Sequence, residues 1–112
     1  MKDDAVYLKH IRDSIARIES YTAGGREAFF RDSMVQDAVI RNLEVIGEAV
    51  KNLSSGLRRR HPAIPWRSIT ALRNVLIHEY FGVDLEIVWR VVSRRLPTLK
   101  RSVLTLLERG KR

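Results

Sequence analysis

Arg73-Asn74-Val75-Leu76-Ile77-His78-Glu79-Tyr80 sets a cation, an amide, an imidazole and a phenol within eight residues. The set suits phosphodiester chemistry on RNA, whose 2′-hydroxyl is a built-in nucleophile, so that cleavage needs a proton carrier, a cation for the crowded phosphate and alignment. Histidine titrates near working pH and fits the proton role at His78. Arginine stays protonated, and its planar fork matches phosphate oxygens, which fits Arg73. Asn74 is placed to orient phosphate or His78, and Tyr80 to stack on a base or bond to phosphate. If one helix runs through the stretch, Arg73 and Tyr80 lie seven apart and Asn74 and His78 four apart, so one face carries all four groups. The plainer reading of each residue alone is structural: arginine and histidine near a helix end answer the helix dipole, and a tyrosine packs.

Other chemistries find fewer parts. There is no cysteine, which removes disulfides, thiolate zinc sites and thiol nucleophiles. His10, His61 and His78 are far apart in sequence and none has a paired metal-ligand spacing, so no metal or cofactor is expected. Glu44 and Glu48 are four apart and fit a hard cation, but Arg41 and Lys51 nearby favour ordinary helix salt bridges. Gly24-Gly25-Arg26 lacks the spacing of a phosphate-binding loop, and no serine sits in a nucleophile elbow.

The 112 residues carry a net charge of +8, unevenly placed. Residues 1–56 hold 8 basic and 9 acidic groups (net −1), and residues 57–112 hold 13 basic and 4 acidic (net +9). Arg58-Arg59-Arg60, Arg94-Arg95 and Lys100-Arg101 would attract a phosphate backbone without reading its sequence. A solvated basic surface is the alternative for any one cluster. No apolar run reaches membrane-spanning length and the N-terminus is polar, so a cytoplasmic protein without signal peptide or anchor is expected.

The elements that must position these residues follow from periodicity. Leu8, Ile11, Ile15 and Ile18 predict an amphipathic helix over residues 3–21, ended by Gly24-Gly25. Val35, Val39, Leu43, Ile46, Val50 and Leu53 predict a second over 32–53, stopped by Ser54-Ser55-Gly56. Residues 57–65 read as a loop, and Pro65 suits the first turn of a third helix that begins near Trp66 and delivers the motif. Asp84 is placed to cap a fourth, with the stripe Leu85, Val88, Trp89, Val92, Leu96, Leu99, Val103 and Leu106. Pro97 predicts a kink or break there. No strand-like alternation appears, so the expected fold is all-α: an antiparallel bundle of four to five helices in a single domain spanning residues 1–112.

Arg73, four residues and His78, with polar Asn74 after the arginine, resemble the signature of the HEPN superfamily, and the extension to His78-Glu79-Tyr80 resembles HepT-like toxins. The likeness extends through the N-terminal helix, the run from Arg41 to Ala49, Pro65-Trp66, and Glu79 to Asp84. It implies a dimeric, metal-independent endoribonuclease toxin cutting tRNA or mRNA, with two motifs facing each other at the dimer interface and Arg73 and His78 catalytic. It also implies a partner, a nucleotidyltransferase antitoxin of the MntA type, that transfers AMP from ATP to the tyrosine of the His-x-Tyr element, here Tyr80. Two other readings stand beside it: a non-catalytic adaptor that docks such a nucleotidyltransferase, and a basic nucleic-acid-binding bundle.

Overall fold

The computed structural model describes residues 3–78 and 82–110, and the side chains of residues 77 and 78 lie outside that description. The helices that periodicity predicts are present, and Asp3, Asp32 and Asp84 each take up free backbone N–H groups at the start of one. Helix α1 (Asp4–Tyr21) is capped by Asp3, which accepts from the Ala5 N–H at 2.9 Å, and buries Leu8, Ile11, Ile15 and Ile18. It stops at Thr22, whose hydroxyl donates to the Ile18 carbonyl at 2.7 Å, before the expected Gly24-Gly25 stop. Gly25, with φ +88°, turns the chain instead, and opens a short helix, α2 (Gly25–Arg31). Seven residues are too few to show a period, so α2 is invisible to that test; it buries Phe29 beside the Phe30 and Trp89 rings.

Helix α3 (Ser33–Asn52) is capped by Asp32, which accepts from Met34 and Val35, and buries Val39, Leu43, Ile46, Ala49 and Val50. A short helix, α4 (Ser55–Arg60), takes in Ser55 and Gly56 of the expected stop and the first four residues of the expected loop. Ser54, read as part of a stop, is the N-cap of that helix and accepts from the Leu57 N–H at 3.1 Å. Asp4 of α1 receives both the Ser54 N–H, at 2.8 Å, and its hydroxyl, at 2.7 Å, which fixes α4 to the start of the chain. Helix α5 (Trp66–His78) follows.

Asp84 caps α6 (Leu85–Arg90), accepting from Glu86 at 2.9 Å. A π-helical turn, Val91–Arg95, joins α6 to α7 (Leu96–Gly110), so the kink expected at Pro97 takes the form of a widened turn just ahead of it. Proline offers no N–H and its ring crowds the carbonyl four residues back; the wider turn relieves both while Val88, Val92, Leu96, Leu99, Val103 and Leu106 all stay buried.

Helix α1 packs on α3 and α7, and α3 packs on α5. Lys100 of α7 reaches Glu19 of α1 at 3.0 Å, and Arg26 of α2 pairs with Glu86 of α6. One contiguous core results, with Ile11, Ile15, Ile18, Val39, Ile46, Val50, Val88 and Val103 at most 2 % exposed. The all-α bundle thus has four long helical bodies and two short ones among the described residues. None of these helices is long and apolar enough to cross a membrane.

Candidate active site

Helix α5 is set from its start. The Pro65 carbonyl accepts from the Ile69 N–H at 3.1 Å, and the Trp66 indole N–H donates to the His61 carbonyl at 3.0 Å, holding the preceding loop against the helix. Ile69, Leu72 and Leu76 turn α5 toward the core.

Arg73 sits at the edge of that apolar stripe, where α5 crosses α3 at Gly47. A Cβ at Gly47 would lie 2.2 Å from the Arg73 Cβ and 2.8 Å from its Cγ. Only a residue without a side chain allows the two helices this approach. The arginine side chain is 23 % exposed, and its three nitrogens have different surroundings. Nη2 pairs with the Glu48 Oε2 at 2.8 Å. Nη1 donates to the Asn74 Oδ1 at 3.1 Å. Nε is buried with no hydrogen-bond partner among the described residues. A guanidinium fixed at two points by a carboxylate and an amide is pre-oriented, and displacing either contact frees a fork for phosphate.

His78 is the last residue of α5. Five residues beyond Arg73, its backbone stands about 7.5 Å along the axis and about 140° around it. Asn74, which is exposed, shares a strip with the His78 position. The structure brings Arg73 and Asn74 into contact and turns Arg73 toward α3, because Gly47 opens room for it there. The imidazole of His78 and the whole of Tyr80 lie outside the described residues.

Beside Arg73 runs a cleft of about 320 Å³ between α1, α3 and α5, lined among others by Tyr7, His10, Arg41, Glu44 and Glu48. His10 meets Tyr7 edge-on, with ring centroids 6.1 Å apart. Sequence reasoning assigned Glu48 to a pair with Glu44 or to salt bridges within its own helix; its partner is Arg73, on another helix. Gly47 carried no role, although a glycine inside a helix between buried Ile46 and Ala49 is the signal of a close helix crossing. His10, distant from the motif in sequence, stands in the same cleft as Arg73. Among the described residues no group of three or more histidine, cysteine or acidic side chains is arranged to hold a metal ion.

The family model of the HepT-like ribonucleases ("Ribonuclease HepT-like") matches residues 11–106. The chain belongs to the HepT-like HEPN ribonuclease family. It is 46% identical over 98 residues to "Probable ribonuclease HepT" of Thermococcus cleftensis, covering 84% of this chain and 86% of that one. It is 39% identical over 112 residues to a "Putative RNase" of Caldanaerobacter subterraneus subsp. tengcongensis, covering 99% and 100%. A "Gamma-glutamylcyclotransferase and putative RNase" of Methanocaldococcus jannaschii is 46% identical over 108 residues, and the chain spans 49% of that relative's length. No solved structure matches the chain.

Proposed function

We propose that this chain is a metal-independent endoribonuclease and the toxin of a HEPN/MNT toxin–antitoxin pair, acting in the cytoplasm, with Arg73 and His78 as its catalytic residues. The observation that carries the reading is the tethering of Arg73 by Glu48 and Asn74 on the helix that His78 closes, in a HepT-like chain. In the reaction the RNA 2′-oxygen attacks the adjacent phosphorus and the P–O5′ bond breaks, leaving a 2′,3′-cyclic phosphate and a 5′-hydroxyl. His78 moves the proton from the 2′-hydroxyl or to the departing O5′, Arg73 neutralises the phosphate, and Asn74 aligns it.

The 140° separation between Arg73 and His78 along one helix is the physical reason to invoke a homodimer. Two copies paired about a twofold axis bring the arginine of one toward the histidine of the other. An MntA-type nucleotidyltransferase antitoxin silences the site by modification: the Tyr80 oxygen attacks the α-phosphorus of ATP, pyrophosphate leaves and the phenol proton is released. The attached AMP adds bulk and negative charge to the motif and repels RNA.

Incubating the purified protein with tRNA and total cellular RNA in EDTA, beside His78→Ala, tests the activity. Cleavage by the wild type alone is expected; intact RNA from an unmodified wild type favours the adaptor reading. Incubation with the antitoxin and ATP should add the mass of AMP to the Tyr80 peptide and abolish cleavage in the wild type but not in Tyr80→Phe. Inhibition with an unchanged tyrosine would replace modification by steric blocking.

A further inference from the structure

We propose that the groove between α4, the loop 61–65 and the first turn of α5 is an RNA-backbone exosite that guides the strand toward the motif at the other end of α5. The groove has a volume of about 640 Å³, twice that of the cleft beside Arg73, and Arg58, Arg59 and Arg67 stand along it with Ser55, Ser68 and Thr70. The two concavities differ in charge. Glu44 and Glu48 line the cleft beside Arg73, whereas among the described residues no carboxylate lines this groove.

None of its three arginines has an ion-pair partner among the described residues. The Arg58 Nε is buried and makes no hydrogen bond there. The walls are firm: Ser54 and Asp4 fix α4, and the Trp66–His61 hydrogen bond fixes the loop. Arginine forks and hydroxyl donors on firmly held backbone, without opposing acids, match the phosphates of a nucleic acid strand.

Continuity with the motif comes from helix register. Residues 67, 71, 74 and 78 fall on one strip of α5, within about 60° of one another. Arg67, Ala71 and Asn74 are all exposed, and Ala71 leaves the track unobstructed. From Arg67 to the position of His78 is about 16 Å, the reach of a few nucleotides. The exosite rests on the ribonuclease reading for its substrate, but its binding is measurable without turnover.

The test is fluorescence anisotropy of a labelled single-stranded RNA across a KCl series, with His78→Ala as the parent. The triple substitution Arg58→Gln, Arg59→Gln, Arg67→Gln is compared with a control of equal charge, Arg94→Gln, Arg95→Gln, Arg101→Gln. Losing three contacts at a slope of about 0.7 per phosphate removes about 2 from the log–log salt slope, and weakens binding by about 10- to 100-fold near physiological salt. The control should change both far less. Equal losses in the two triples, or none in the groove triple, would overturn the proposal. If the groove triple melts early by circular dichroism, the double Arg59→Gln, Arg67→Gln, at two exposed positions, should still lose about 1.4 of slope. With His78 restored, the groove triple should raise KM and leave kcat unchanged. A wild type that binds through the groove but never cuts would refute the nuclease and keep the exosite. One that cuts, with binding indifferent to the groove, would do the reverse.

Discussion

Arg73 is where sequence and packing meet. Its type and its spacing from His78 are readable in the chain, but its orientation is not, because that depends on Gly47 and Glu48, some twenty-five residues earlier and one helix away. The Glu48–Arg73 pair is partly exposed, so its contribution to stability is about 0–1 kcal/mol. Its greater effect is on alignment. Glu48→Gln should therefore leave the melting temperature nearly unchanged while lowering kcat about tenfold or more, since a small displacement of a catalytic group is costly. An unchanged kcat would show that Arg73 needs no tether. Gly47→Ala gains about 1 kcal/mol in helix propensity, but the 2.2 Å clash with Arg73 forces α3 and α5 apart. With overpacking costing about 1–3 kcal/mol, the net expectation is destabilisation together with lost cleavage, read by urea unfolding beside an activity assay.

At the scale of elements, the long helices were legible because each has three or more turns over which an apolar stripe repeats. Helices α2 and α4 were not, since seven and six residues do not complete two turns. Ser54 shows the ambiguity: a serine after an apolar stripe reads as a stop, and the same hydroxyl starts the next helix. Its second role, as a ligand of Asp4 fifty residues away, has no local signature. Ser54→Ala removes the cap and one hydrogen bond to Asp4, and should cost about 1–2 kcal/mol in urea unfolding. Because α4 carries Arg58 and Arg59, the same variant should bind RNA more weakly; unaltered RNA binding would detach α4 from the substrate path. Pro97 was legible as an interruption, but periodicity could not specify the π turn that accommodates it while the stripe stays in phase.

For the whole molecule, the all-α class and the apolar core followed from the sequence, and the family from the long run around the motif. The joining of α1, α3 and α5 around Arg73 required the structure, because no sequence spacing encodes which helices cross. The proposed reaction calls for a second copy because the Arg73 and His78 positions are about 140° apart around α5. Light scattering should give a mass near twice 13.0 kDa. Arg73→Ala mixed with His78→Ala should recover about a quarter of the wild-type activity on random subunit exchange, because half the dimers then hold one intact composite site of two. No recovery, with exchange verified, would place arginine and histidine of the same copy in one site. The central claim, cleavage by the 2′-hydroxyl with Arg73 and His78 in place of a metal, is tested most directly by single-turnover cleavage in EDTA. An all-ribose oligonucleotide and its 2′-deoxy counterpart would each meet the wild type, Arg73→Ala and His78→Ala. Only the wild type with the ribose strand should cut, leaving a 2′,3′-cyclic phosphate; cleavage of the deoxy strand, or undiminished cleavage by either variant, would contradict the account.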